Sequence, residues 1–407
     1  MINPARTPEL EAEIERVANL ARELMRAYVS WGSQKKTGET HLATHGDVID
    51  FVNFRMETAD SCLKLIEADR IGDALGLCRS LLEHYLLFIL ICRGDKYFKV
   101  WDLSNKTPAE FAEFFNERKR AWEQERADGK TDCVDFRKHP RAARHVMLVY
   151  DGIRFEDGEK LPVSMYYFHF EQFRPEIMRL DEADYFEYYE RPADLKKAMK
   201  GHRQEAHLKY RHFLGYDALV MCLELNGLID EAVRHRLEAH YTFLGTFLHP
   251  TNNAVRDLHE RSNWHSGTPM IGMEYDYTQT SRLLAYSYVC YLLAGILDEL
   301  ATLFESSPKK YIADPATAAL RAATSAVPAT VPYFWFLFNE APLYDKFNWA
   351  IHHATDEQLK EFGGYAGVPS DLIPFNQHIY ESLGQGLGGW SNVRVGQYIS
   401  PVLGRSH

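Results

Sequence analysis

The stretch Ile71-Gly72-Asp73-Ala74-Leu75-Gly76-Leu77-Cys78-Arg79-Ser80-Leu81-Leu82-Glu83-His84-Tyr85-Leu86-Leu87-Phe88-Ile89-Leu90-Ile91-Cys92 decides how the fold is read. Drawn as a helix, it is apolar on nearly every side. A helix of that kind has no face to give to water, so it predicts a central, buried element.

Helix signals recur on both sides of it. Upstream, Val48, Val52, Ala59, Leu63 and Ile66 mark a second helix over His45 to Ala68. Thr7-Pro8 offers an N-cap and a first-turn proline. Leu10, Ile14, Val17, Ala21, Leu24 and Tyr28 then form one face. Downstream, Thr107-Pro108-Ala109-Glu110 is a capping box opening a helix with Phe111, Phe114, Phe115, Arg118 and Trp122. Asp194 to Asn226 reads as one long helix, or two meeting at Gly201, with Gly227 as the stop. Asp230 caps a helix running to His249, which Pro250 ends. Residues 250 to 277 are polar and loop-like, and Thr278 to Phe304 is again a long apolar helix. Asp314-Pro315 opens a short helix, and Thr355 caps another that ends near Gly363. Residues 127 to 165 resist assignment, and Asn392 to Ile399 is the one short strand candidate.

The expected fold is therefore mainly α, a multi-helix bundle with an irregular Gly/Pro-rich C-terminal segment. Three parts are expected: an N-terminal helix and linker over 1–44, a helical core over 45–305, and a helical or irregular segment over 306–407. Ser, Pro and Ala dominate residues 306 to 330, which places the second boundary there.

A chain of 407 residues buries a core without a disulfide or metal staple. With 46% apolar and 25% charged residues it is not a largely disordered chain. The 57 acids outweigh 46 Lys and Arg, for a net charge of −11. That balance argues against a wholly basic nucleic-acid-gripping surface and leaves room for a local basic patch. The cysteines (Cys62, Cys78, Cys92, Cys133, Cys222, Cys290) form no C-x-x-C pair and lie mostly in apolar runs, so they read as reduced thiols of a cytoplasmic protein. Met1 to Glu13 has no apolar block, so no signal peptide is expected. The apolar runs Tyr85 to Cys92 and Leu283 to Leu297 are shorter than the roughly 20 residues a span requires, so no membrane is expected either.

Four motifs bear on chemistry. Gly384-Gln385-Gly386-Leu387-Gly388-Gly389 spells G-x-G-x-x-G. A dinucleotide site needs a strand before it, a helix after it and a later acid. None is evident, so a flexible surface loop is expected and no cofactor. The 18 histidines yield neither H-E-x-x-H nor paired Glu-x-x-His, so no metal is expected. A basic cluster of Lys196, Lys197, Lys200, Arg203, Lys209 and Arg211, joined by three histidines, suits phosphate binding. The acidic run Asp181, Glu182, Asp184, Glu187 and Glu190 offers the alternative of a solvated, charge-balanced face.

The fourth is a pair of spacings, Arg79-x4-His84-Tyr85 and Arg234-x5-His240-Tyr241. It resembles the Arg-x4-6-His motif of HEPN domains, helical modules of ribonuclease toxins and phage-defence proteins. The resemblance implies metal-independent RNA cleavage at a dimer interface. Arg79 and His84 would form one pair, Arg234 and His240 the other. Histidine suits proton transfer near neutral pH, and arginine suits the phosphorane charge. Helix geometry opposes this, because five residues rotate about 140° and six about 240°. The i,i+4 partner of Arg79 is Glu83, so a buried ion pair is the competing reading.

A second resemblance spans more of the chain. Ala74 to Glu83 is similar to the Arg-Ser-Leu-x-Glu helix of an uncharacterised bacterial helical family. Tyr241-Thr242-Phe243-Leu244-Gly245-Thr246-Phe247-Leu248-His249-Pro250 is similar to that family's later Tyr-x-x-Leu-small…His-Pro helix. This implies a helical core over about 45 to 305 and draws attention to His249, as a base or as a helix cap.

Two functions follow as expectations. One is a HEPN-like endoribonuclease, led by Arg234 and His240, with Arg79 and His84 second and the basic cluster guiding RNA. The other is a non-enzymatic helical interaction or sensor protein with a buried polar network around Arg79, Glu83 and His249. The aromatic stretch Tyr166 to Tyr189 would then be a partner-binding site, and a homodimer or a protein partner is expected.

Overall fold

The structure, a computed structural model, describes residues 7–34, 43–94, 96–139, 142–150, 153–154, 160–161, 215–249, 251–260, 276–306, 316–394, 399–400 and 404–405. Helix α1 spans Pro8–Gln34, α2 Ala43–Glu67 and α3 Ile71–Arg93. After a small α/β unit come α5 (Tyr216–Leu225), α6 (Glu231–Leu248) and α7 (Asn252–Asp257). The chain continues through α8 (Gln279–Ser306) and α9 (Ala318–Thr330).

Two apolar helices organise the rest. Helix α3 is flanked by α2 on one side and by α5 and α6 on the other, and α8 backs it. Helix α8 in turn carries α1, α2 and α9. Ile71, Leu75, Leu81, Leu86 and Ile89 of α3 are wholly removed from water, as are Leu283, Leu292, Ile296 and Leu300 of α8. The two helices touch closely at Gly295, where any side chain would run into the ring of Tyr85. Both are long and apolar enough to cross a membrane by length and composition alone, with 61% of the apolar window of α3 and 89% of that of α8 buried inside the protein. The uninterrupted apolar runs Tyr85 to Cys92 and Leu283 to Leu297 are shorter than the helices, which continue through polar residues.

The predicted caps form. Leu10 N–H donates to Thr7 Oγ1 (3.2 Å), Val233 N–H to Asp230 Oδ1 (2.8 Å), and Thr107 and Glu110 complete a reciprocal capping box.

The unassigned stretch after residue 127 holds strands. Strands β1 (Tyr97–Asp102), β2 (Cys133–Lys138) and β3 (His145–Tyr150) make an antiparallel sheet in the order β1-β3-β2. Helix α4 (Pro108–Ala127) lies on one face. Met147 and Val149 of β3 face the main core, whereas Val146 and Leu148 face Phe111, Phe115, Trp122 and Phe136. Both faces are apolar, so the sequence shows an unbroken apolar run where a one-faced strand would alternate. Two-residue strands Ile153–Arg154 (β4) and Lys160–Leu161 (β5) pair with each other, as do Ile399–Ser400 (β6) and Gly404–Arg405 (β7).

The C-terminal segment is more regular than its composition suggests. It carries α10 (Leu343–His353), α11 (Asp356–Glu361), two 3₁₀ turns and α12 (Ile379–Arg394). The G-x-G-x-x-G letters lie inside α12, and the expected surface loop is a helix. A Cβ on Gly386 would meet Tyr333 O at 2.5 Å, and one on Gly389 would meet the Tyr344 ring at 2.7 Å. These two glycines let the helix approach its neighbours. The strand expected over Asn392 to Ile399 begins instead as the last turn of α12, with β6 starting at Ile399. One apolar core takes side chains from α1 (Val17, Leu24), α3, α8 and the C-terminal segment (Leu320, Val327, Phe334, Leu383).

Candidate functional site

Helix α3 presents two polar clusters, one to each flanking helix. On the α6 side, Arg79 and Glu83 lie one turn apart, with Arg79 Nε and Glu83 Oε1 3.5 Å from each other. Tyr241 of α6 closes the triangle: Arg79 Nη2 donates to its hydroxyl (2.5 Å), and the hydroxyl donates to Glu83 Oε1 (2.9 Å). The guanidinium also lies over the Tyr241 ring, 4.3 Å from its centroid, and Tyr216 of α5 stacks on that ring at 3.6 Å. Gly245, one turn after Tyr241, makes room, since a Cβ there would come within 3.2 Å of Arg79 Nη1. Burial pushes the Tyr241 hydroxyl up in pKa, and Arg79 pulls it back down. Thus the Arg-Ser-Leu-x-Glu stretch and the Tyr-x-x-Leu stretch meet in space.

On the α2 side, the Arg55 guanidinium touches His84 Nδ1, and Ser80 Oγ lies 3.5 Å from the same nitrogen. Arg55 is only 3% exposed. Its Nε has no hydrogen-bond partner, and among the described residues no carboxylate pairs with it. Glu57, on the same helix, acts on it only at a distance. The guanidinium sits between Phe54 (4.1 Å to the centroid) and Phe51 (5.7 Å). Burial, helped by Arg55, pushes the His84 imidazole down to about 4. His84 is therefore neutral near pH 7. Because Nδ1 accepts from a guanidinium, the ring proton sits on Nε2.

The lead pair separates. Arg234 is near the start of α6 and pairs with Glu224 (3.0 Å) and Glu231 (3.6 Å) at the surface. His240 is wholly buried. Its Nδ1 is 2.8 Å from Tyr288 Oη and its Nε2 3.0 Å from Trp335 O. Tyr288, Phe334, Phe336 and Phe375 ring it. Burial pushes it down to about 3. Arg79 and His84 also diverge, one turned to α6 and the other to α2, as a 140° rotation requires. His249 is the C-cap residue of α6, its N–H donating to Gly245 O (3.2 Å), and it stands outside the Arg79 network. The basic cluster Lys196 to Arg211 and the aromatic stretch Tyr166 to Tyr189 lie outside the described residues. Among the described residues no group of His, Cys, Asp and Glu could hold a metal ion.

Sequence reasoning missed Arg55 and Arg236. The signal for Arg55 was present: it falls on the buried stripe of α2, between Val52 and Ala59. A charge there is out of place unless something answers it. Arg236 clamps the C-terminal segment through Nε and Nη2 to Leu337 O (3.0 and 2.8 Å), a partner about a hundred residues away that no local pattern marks. No protein-family model matches the chain, and no curated protein or solved structure matches it.

Proposed function

We propose that this chain is a non-enzymatic helical interaction or sensor protein with a polar network between α3 and its flanking helices. The observation that carries this reading is His240. Both of its ring nitrogens are engaged and no part of it reaches solvent. A histidine so placed cannot exchange protons with a substrate, since general acid–base work needs a free nitrogen within hydrogen-bond reach. The Arg79–Glu83–Tyr241 triangle fits the same reading, as a tie between α3 and α6 in which Tyr241 accepts from Arg79 and donates to Glu83. The test is purified protein with mixed RNA in EDTA, beside His84→Gln. No cleavage by the wild type is expected. Cleavage that His84→Gln abolishes would overturn the proposal.

A second reading is a HEPN-like, metal-independent endoribonuclease of toxin or defence type. It is favoured by one contact, His84 against Arg55, because a histidine beside a cation is what attack by a ribose 2′-hydroxyl requires. In this reading Arg79 and a second copy of the chain would complete the site, and Lys196, Lys197, Lys200, Arg203, Lys209 and Arg211 would guide RNA.

A further inference from the structure

We propose that Arg55, His84 and Ser80 form a binding site for a small oxyanion, a phosphate or carboxylate group, at the seam of α2 and α3. The proposal rests on the binding-protein reading above and names its ligand class.

An arginine cannot shed its proton, so burying one unpaired costs several kcal/mol. Proteins answer such a charge with a carboxylate or a ligand. Arg55 has neither among the described residues: its contacts are two phenyl rings and a neutral imidazole, and its Nε is buried without a partner. Arg79, one helix face away, also has an Nε without a hydrogen bond, but Glu83 lies 3.5 Å from that nitrogen and Tyr241 accepts from Nη2, so its charge is answered.

The surrounding donors suit an oxyanion. The guanidinium fork matches two oxygens of a phosphate or carboxylate in one plane. His84, whose Nδ1 faces the guanidinium, orients it, and Ser80 supplies a hydroxyl on the preceding turn of α3. Phe54, 62% exposed, forms an apolar lip over the guanidinium. A ligand with an acidic group and a small apolar body fits both.

The experiment is calorimetric titration of the full chain at pH 7 with sodium phosphate and, separately, sodium acetate, at constant ionic strength. Arg55→Met and His84→Gln are titrated alongside. One saturable site is expected for the wild type. Saturation by phosphate alone assigns a phosphate group, by acetate alone a carboxylate, and by both an unselective oxyanion site. Arg55→Met is expected to bind about tenfold more weakly or worse. Without ligand it should unfold no earlier than wild type, because it removes an unpaired buried charge. If Arg55→Met does not fold, His84→Gln carries the comparison and is expected to bind several-fold more weakly. No saturation in the wild type, or unchanged binding in the variant that folds, overturns the site. The RNA assay judges the parent reading separately: absent cleavage with absent anion binding refutes the oxyanion site alone. Cleavage abolished by His84→Gln refutes the binding-protein reading.

Discussion

A histidine sealed in an aromatic cage titrates against folding. In the native state His240 takes up a proton only near pH 3, whereas in the unfolded chain it does so near 6.5. Its contribution is fully present above pH 6.5 and is lost as pH falls through that window toward 3. Between pH 7 and 5 this amounts to about 2 kcal/mol. Glu299 works in the opposite sense. Burial raises it to about 7, against the pull of Arg93, whose Nη2 is 2.7 Å from Oε1 while Oε2 lacks a partner. A carboxyl raised in the native state stabilises at low pH, and that contribution is lost as pH rises from about 4.5 through 7. Glu299 therefore offsets part of the His240 contribution, and variants should separate the two. Urea unfolding of His240→Gln at pH 7 and pH 5 should show a smaller loss on acidification than wild type. Glu299→Gln should gain on wild type as pH rises over the same range. Identical pH profiles for wild type and variant would contradict the corresponding assignment.

Helix α12 separates two roles of glycine within one element. Gly384 and Gly388 face open space, so alanine there adds only helix propensity. Each substitution should stabilise the protein by up to about 1 kcal/mol. Gly386 abuts the Tyr333 carbonyl, a backbone atom that cannot swing aside, and Gly386→Ala should cost about 1–3 kcal/mol. Thermal melts of the three variants check the ordering, and equal melting temperatures would show that the close approach does not matter. This element also marks what a sequence can convey. Helices with caps were legible, because Thr7, Thr107, Asp230 and Thr355 act within four residues. Strand β3 was not, since two separate cores take its two faces and erase the alternation. Helix α12 was hidden by its own glycines, whose purpose lies in the partner surface. The candidate site divides the same way. The Arg79–Glu83 pairing followed from i,i+4 spacing, while Tyr241, Arg55 and the burial of His240 depend on which helices become neighbours.

At the scale of the molecule, the shared core has a consequence for truncation. Leu320, Val327, Val331, Tyr333, Phe334 and Leu337 of the C-terminal segment are buried in the same core as Val17 and Leu24 of α1 and Leu292 and Ile296 of α8. Polar ties cross the same boundary as well. Trp31 Nε1 donates to Ala316 O (2.9 Å), Tyr333 Oη to Glu13 Oε1 (2.6 Å), and Arg236 to Leu337 O. Removing residues 307–407 would uncover six large side chains' worth of apolar surface on α1, α8 and α6. Each such side chain is worth about 1.5–3 kcal/mol when buried. The sum is comparable to the whole net stability of about 5–15 kcal/mol that an ordinary protein has to lose. It would also take Tyr333 from Glu13, which keeps Arg16, and Trp335 O from His240, which keeps Tyr288. The chain 1–306 should therefore keep much of its helical far-ultraviolet signal while losing near-ultraviolet signal and a cooperative melt, and should bind a hydrophobic dye. A truncated chain that melts cooperatively near the full-length midpoint would mean that the helices before residue 307 close their own core without it.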